Sequence, residues 1–509
     1  MSEVTDMRLL CLLLLVATTA CGNTANNTGA DAAVDVMRSD AVNDSPSQGD
    51  GAGCVPVAGP DLPDDSFADT NCDGIDGDAS GAIFVAPNGD DAQDGSMAHP
   101  VATLARAITL AKSAGKAVYV AGGPSITYEE ADTLALQDGV AIYGGYDAAS
   151  GWRRDDSHVP IIRVHATVAL RAAGILSTTT LDRLYVAAAE GTAGTGMSSL
   201  GLVAVGSPGL VLSRCEIHAG AGAAGANGSG GSKGNDGQSG GTGGNPNCCA
   251  LYLPTGGLGG NGGQCPAGSA PGGQNGQGAS DVNYTPWGAG TNGAPGANGS
   301  GGSGGAVDAT GVYAGGPGVA GADGSTGGGG GGGLWGQKFF CPTGLCGSAP
   351  LNACGGGGGG GGGGGCGGRG GAGGGSGGAS IAVVLVESPL KILASTLASG
   401  PGGAGGAGGA GGARGFGALG GHSNGMDTCG GGGAGTTGSR AGDGGAGGNG
   451  GGGVGGPSVG VWVVGPGTPT LTSNTYQGSA GGTGGPGGDP GVSSLRGADG
   501  TSWDVYNQP

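Results

Sequence analysis

The sequence predicts an all-β fold: a parallel β-helix of about seven coils with an N-terminal capping helix, carrying long Gly-x-x tracts that are either polyglycine-II-like or disordered. Three observations lead there. First, a unit recurs. Ser199–Gly220 (SLGLVAVGSPGLVLSRCEIHAG) returns at Ser380–Gly400 and again at Ser458–Gly478. Each copy is an apolar run, a Pro-containing corner and an alternating strand, so that Leu212, Ile392 and Leu471 share a slot. Cys215, Ser395 and Asn474 share a small-or-polar slot, and Ile217, Leu397 and Tyr476 share a third. Second, short apolar segments separated by Gly, Asp and Thr turns precede the first copy at even spacing. Segments this short bury a core only by stacking on neighbours. Third, glycine makes up 137 of 509 residues and recurs at every third position between the copies. Glycine adds no side chain to a core, so one globular domain is expected rather than several.

The N-terminus reads as an export signal. In Met1–Cys21 the apolar run Leu9–Ala17 follows Arg8 and ends in small residues. It is shorter than the roughly 20 apolar residues of a spanning helix and fits a secretory signal over residues 1–20. A start at Met7 would place Arg8 in a short basic leader and remove Glu3 and Asp6. Thr19-Ala20-Cys21 resembles a bacterial lipobox, with Thr18 where such motifs carry Leu. An ordinary signal peptide cleaved nearby is the other reading. The resemblance implies acylation of Cys21, and two acyl chains give stable anchoring. Gly22, not Asp, follows it, which by similarity to enteric lipoproteins implies the outer membrane or cell surface of a Gram-negative bacterium.

Residues 21–64 carry almost no large apolar side chains and read as a disordered acidic tether. Between Gly22 and Asp94 fifteen Asp stand against a single base, Arg38, so this stretch holds most of the formal charge of −19. No basic patch exists, which excludes a nucleic-acid partner. Within residues 65–81, Asp69-Thr-Asn-Cys-Asp-Gly-Ile-Asp-Gly-Asp78 spaces oxygen ligands at alternate positions, as calcium loops do. Asp69, Asn71 and Asp73 would be ligands with the carbonyl of Ile75, but Ser80 stands where a bidentate Glu is needed. The alternative is a rigid Asp-Gly turn. Cys54 and Cys72 bracket the stretch and can close it by a disulfide in an exported chain.

From residue 82 a family resemblance is visible. Phe84-Val85, the Asn88-Gly-Asp-Asp turn, Asp94-Gly95, Pro100 and Thr103 resemble the N-terminal part of pectin-lyase-like right-handed parallel β-helix proteins, in particular an uncharacterised bacterial surface branch. Thr103 suits a helix N-cap, and Leu104, Ala107, Ile108 and Ala111 fall on one helical face. That helix would cover the open end of the solenoid. Strands are expected at Ala117–Val120, Thr133–Leu136, Val140–Tyr143, Ile161–Val164, Val168–Leu170, Ile175–Leu176 and Leu181–Val186. The N-terminal coils thus span 82–218, with further coils at 380–399 and 458–477. Gly144-Gly145-Tyr146-Asp147 with Trp152-Arg-Arg-Asp-Asp156 has two readings: a sugar platform with Tyr146 and Trp152 as glycan contacts, or part of the fold, as the resemblance implies.

Glycine-rich tracts occupy 219–379, 400–457 and 478–509. The triplet period holds over Gly222–Gly243, Gly290–Gly305, Gly315–Gly327, Gly402–Gly411 and Gly442–Gly451. Three residues per turn is the repeat of an extended left-handed helix, in which glycine permits close approach. Collagen is excluded because Pro is sparse in the triplets. The tracts hold Cys248, Cys249, Cys265, Cys341, Cys346, Cys354, Cys366 and Cys429, an even eight that favours disulfides of open connectivity. Their composition resembles the Gly-Gly-Ala domains of PE-PGRS proteins.

No enzyme is expected. Glycoside hydrolysis needs two carboxylates flanking the bond, whereas Asp182, Glu190, Glu216 and Glu387 fall in different slots. The Asn-Thr-Asp, Asp-Asp, Gly-His-Gly and Arg-Ile-Lys motifs of polygalacturonases are absent. The expectation is a structural or adhesive surface lipoprotein, with a carbohydrate-binding protein as the alternative and a polysaccharide lyase or hydrolase behind both. Its partners would be the outer membrane, through the lipid, and polysaccharide or other surface proteins. Calcium is the one cofactor the sequence suggests.

Overall fold

The structure is a computed structural model that describes residues 54–245, 255, 257–265, 268–277, 288–336, 356–424 and 433–509. The expectations for residues 1–20, Cys21, the tether before residue 54, and Cys248, Cys249, Cys341, Cys346, Cys354 and Cys429 lie outside these residues.

Three parallel sheets dominate, and the chain visits them in rotation. Ala82–Val85, Ala117–Ala121, Ile142–Asp147, Thr179–Asp182, Leu210–Ser213, Lys391–Leu393 and Thr470–Thr472 follow one another across the first sheet. The second sheet runs from Thr127–Glu130 through Ile161–Val164, Tyr185–Ala188, Glu216–Ala219 and Thr396–Ser399 to Thr475–Gln477. The third runs from Leu134–Ala135 through Val168–Ala173, Ser199–Val205, Ser380–Val386 and Ser458–Val464 to Ser502–Asn507. This arrangement is compatible with a parallel β-helix. The slots shared by the three repeat copies are in register: Leu212 pairs with Ile392, which pairs with Leu471. Ile217, Leu397 and Tyr476 align in the same way.

The segment 199–220 holds three strands where the sequence pattern suggests two. Arg214 interrupts the expected long strand at φ 48°, and Arg183, Ala394 and Ser473 do the same in neighbouring coils at φ 53°, 46° and 55°. Left-handed backbone at non-glycine positions is uncommon, which is why the expected strand Leu181–Val186 is two. Ile175–Leu176 forms no strand, and Thr127–Glu130 and Ser502–Asn507 are strands that the sequence pattern does not indicate. The expected helix is present over Leu104–Ala114, with Thr103 Oγ1 accepting from Arg106 N–H and Leu104, Ala107, Ile108 and Ala111 buried. These four join Ile83, Val85 and Val101 in the core between the sheets.

Third-sheet strands such as SIAVVLV are apolar after their first serine because both their faces are covered. Val383 and Leu385 face the core, while Ile381 and Val384 pack with Val307, Tyr313 and Trp462. Val307 and Tyr313 belong to an antiparallel hairpin, Gly305–Val307 with Tyr313–Gly315, that folds back from the first glycine tract. No helix among the described residues is long and apolar enough to cross a membrane.

Candidate functional site

All three glycine tracts leave from one corner. Each departs after a second-sheet strand, at Ala219, Ser399 or Gln477, and returns into the third sheet at Ser380, Ser458 or Ser502. One coil earlier the same corner is closed by only residues 189–198. Serines line it. Gly220 N–H donates to Ser199 Oγ at 2.8 Å, Ser380 Oγ donates to the Gly220 carbonyl at 2.7 Å, and Ser458 Oγ donates to the Gly400 carbonyl at 2.9 Å. Ser199, Ser380 and Ser458 are fully buried, so these bonds satisfy backbone groups that water cannot reach.

Beyond the corner the tracts run as extended rods. An extended helix of three residues per turn has no internal hydrogen bonds, so partners must come from other rods. The rod 356–378 sits at the centre, bonded to six others: 221–245, 401–424, 433–456, 316–336, 268–277 and 257–265. Three consecutive glycines reach all six. Gly360, Gly361 and Gly362 donate to the carbonyls of Gly241, Gln274 and Ser439 at 2.9, 2.8 and 3.1 Å. Their own carbonyls accept from Gly421, Gly260 and Gly330 at 2.6, 2.8 and 2.8 Å. A Cβ at these positions would stand 2.0, 2.0 and 2.1 Å from the carbonyl oxygens of Leu258, Gly330 and Ala418. No side chain fits, which explains why Gly356–Gly365 is unbroken glycine. After Cys366 two of the six neighbours end, and Arg369, Ala372 and Ser376 appear.

The Asn and Asp residues within the triplets have a shared task that the sequence reading missed. Their side-chain oxygens accept backbone N–H groups of the adjacent rod. Asn227 takes Ala407 at 2.8 Å, Asp236 takes Phe416 at 2.8 Å, Asn298 takes Asn449 at 2.8 Å, and Asn449 takes Gly411 at 2.8 Å. Asp443 accepts from Gly417 at 3.0 Å. The recurrence of Asn or Asp at a fixed slot beside glycine was the available signal. One disulfide, Cys265–Cys366, ties a ring rod to the central one.

A second constellation holds the Asp-rich loop. Cys54 and Cys72 form the expected disulfide. Asp69 Oδ1 accepts from Asp73 N–H at 3.1 Å, Asn71 Oδ1 accepts from Asp73 N–H at 2.9 Å, and Asp73 Oδ2 accepts from Ala79 N–H at 2.8 Å. The oxygens that the sequence offers to calcium thus brace the loop's own backbone, and the Ile75 side chain is buried. Among the described residues no group of three His, Cys, Asp or Glu is arranged to hold a metal ion.

Tyr146 and Trp152 are brought together, but inside. Tyr146 is 0 % and Trp152 5 % exposed. Their rings pack with Phe84 and Tyr119, Phe84 lying 4.7 Å from Trp152 and Tyr119 4.7 Å from Tyr146. Neither ring presents a face to a sugar. Tyr146 Oη instead donates to the Asp76 carbonyl at 2.7 Å, pinning the loop to the first sheet.

Asp76, Arg154, Asp182 and Arg183 complete this anchor, and no local pattern in the sequence signals that they meet. Buried Arg154 donates to Asp76 Oδ2 at 2.9 Å, to the Gly144 carbonyl at 2.9 Å, and to Asp182. Arg183 donates to Asp182 at 2.7 Å and Asp156 at 2.6 Å, and Arg214 pairs with Asp65. Burial pushes the Asp76 carboxyl up to about 6 against the pull of Arg154.

No family model, curated protein or solved structure matches the chain.

Proposed function

We propose that the chain is a non-enzymatic, structural or adhesive protein of the cell surface, lipid-anchored through Cys21. In it a right-handed β-helix carries a polyglycine-II-like bundle outward. The reading rests chiefly on one observation: rods that leave a single serine-lined corner are cross-bonded to a central rod whose all-glycine half, residues 356–365, has no room for side chains. Such a bundle has no apolar core to speak of and presents a broad surface of mostly short side chains, with Leu258, Val319, Phe416 and Leu419 exposed among them, which suits display and contact rather than chemistry. The Asp-rich loop, held by its disulfide and by Arg154, would fix the tethered end to the first coils.

The test compares bacteria carrying the full chain with bacteria whose three tracts are each replaced by residues 189–198, the connection that closes the same corner one coil earlier. Expected is loss of surface attachment with the shortened protein still exported. Unchanged attachment, or release of sugar products from pectate or alginate by the purified full chain, overturns the proposal.

A further inference from the structure

Seven Asn-Gly pairs lie wholly within the described residues, at Asn88, Asn227, Asn261, Asn275, Asn292, Asn298 and Asn449. The dipeptide is chemically reactive, because glycine has no side chain to keep its nitrogen from the asparagine side-chain carbonyl carbon. Closure of that ring needs the nitrogen free of a hydrogen bond and the side chain free to turn. Six pairs are held. Gly89 N–H donates to the Ala86 carbonyl at 2.9 Å within a turn. Gly228, Gly276, Gly293, Gly299 and Gly450 donate to carbonyls of neighbouring rods at 2.7–2.9 Å. The asparagine oxygens of these five are occupied as well. They accept from Ala407, Gly259, Asp443, Asn449 and Gly411 in turn, at 2.8–2.9 Å.

Asn261 differs. Its exposed side chain makes one bond, Nδ2 donating to Gln238 Oε1 at 3.1 Å, and its Oδ1 accepts nothing among the described residues. Gly262 N–H, partly exposed, has no partner among them either. The cause lies in the register. Rods 257–265 and 268–277 form a hairpin, and Gly259 and Gly262 both face its other arm. Gly259 N–H finds Asn275 Oδ1 at 2.8 Å. Three residues along, the facing arm has Gly272, which brings no acceptor to Gly262.

We infer that Asn261 is a self-modification site that loosens the bundle. The inference rests on the bundle reading above. The Gly262 nitrogen attacks Cγ of Asn261 and gives its proton to water. The Cγ–Nδ2 bond breaks, ammonia leaves, and a five-membered imide closes. Water then opens the ring. Attack at Cγ restores the peptide bond and leaves aspartate; attack at the main-chain carbonyl leaves isoaspartate. In sum one water enters and one ammonia leaves, and nothing is oxidised or reduced. Aspartate keeps the backbone as it was. Isoaspartate adds one carbon to the main chain between Gly260 and Gly263, which donate to Gly361 and Gly364 at 2.8 and 3.0 Å. The Asn261 carbonyl between them stands 1.9 Å from the place a Cβ on Gly363 would take. With contact this close the extra carbon is not absorbed, and the arm loses its register on the central rod. The Cys265–Cys366 disulfide keeps it attached.

The experiment holds purified full-length protein in mildly alkaline buffer, digests samples at intervals and maps the peptides by mass spectrometry. The gain in mass marks amide turned to acid, and fragmentation separates isoaspartate from aspartate. Asn261 is expected to convert on the order of tenfold faster than Asn227, Asn275, Asn292, Asn298 and Asn449, the margin set by breaking one or two hydrogen bonds beforehand. Amide exchange over 257–265 is expected to quicken as isoaspartate accumulates. It is expected to stay constant in Asn261→Gln, which keeps an amide but whose longer side chain does not close the five-membered ring. Equal thermal melting of fresh parent and variant shows that the variant folds. Slow conversion at all six rod sites, Asn261 included, overturns the inference and leaves the bundle standing. Conversion at all six as fast as in a free peptide of residues 258–264 overturns the inference and the bundle with it. Exchange that quickens equally in Asn261→Gln refutes the loosening by isoaspartate.

Discussion

The N–H of Cys215 donates to Ser395 Oγ at 3.1 Å, although the two residues lie 180 positions apart. Ser395 N–H donates in turn to Asn474 Oδ1 at 2.9 Å, and Asn474 Nδ2 donates to the Ile392 carbonyl at 2.9 Å. The ladder shows how the coils keep register across tracts that leave and return. Ser395→Ala leaves a buried N–H without its acceptor, which typically costs about 1–3 kcal/mol. Denaturant unfolding is expected to show a loss of that size, and a neutral variant would remove the ladder from the account.

Glycine is required inside the bundle and optional at its surface. Gly361→Ala places a Cβ 2.0 Å from the Gly330 carbonyl, so rods must move apart. Overpacking of this kind costs typically about 1–3 kcal/mol and more where backbone is the obstacle. At Gly230 the nearest atom to an added Cβ is 3.6 Å away. Gly230→Ala is expected to be neutral or to stabilise by up to about 1 kcal/mol through the unfolded chain. Similar melting of the two variants contradicts the packing.

Arg154 is the centre of the loop anchor. Removing one partner of a buried ion pair costs roughly 3–5 kcal/mol, because the other charge is left uncompensated. In Arg154→Ala the buried Asp76 loses its counter-charge. Limited proteolysis is expected to cut within residues 54–78 much faster than in the parent protein, and equal cutting rates would show that the aromatic cluster suffices.

Glu130 gives the fold a slope in acid. Burial holds its carboxyl above the usual range, nearby Asp91 adds to this, and Leu104 N–H, donating at 2.7 Å, opposes it. The folded chain therefore keeps this proton at a pH where the unfolded chain has lost it. Stability falls as pH rises from the ordinary value of 4.5 through the raised one, then levels off. Glu130→Gln keeps an acceptor for Leu104 and is expected to abolish that part of the slope, matching the parent below pH 4.5 and exceeding it at neutral pH. An unchanged pH profile of the denaturation midpoint would contradict the assignment.

Local pattern carried much of the architecture. Thr103 and the four apolar residues after it specify the helix because caps and helical periodicity are properties of adjacent residues. The repeat copies specify register because Leu212, Ile392 and Leu471 occupy one stack. What failed was long-range. Asp182 looked isolated because its partner Arg154 lies 28 positions away, and Asp76 another 78 from that arginine. For Tyr146 and Trp152 two readings stayed open, a sugar platform or a part of the fold, because sequence does not reveal which face of a strand the loop covers; their burial decides for the second. The glycine period was legible, but neighbour number was not, although unbroken glycine before Cys366 and mixed residues after it encode it.

The most direct test of the bundle is amide hydrogen exchange, followed by mass spectrometry, over residues 356–378 of the full-length protein. Every N–H from Gly356 to Cys366 donates to a neighbouring rod, so exchange there is expected to be as slow as in the third-sheet strand Ser380–Val386. Exchange at the rate of an unstructured peptide would contradict the account.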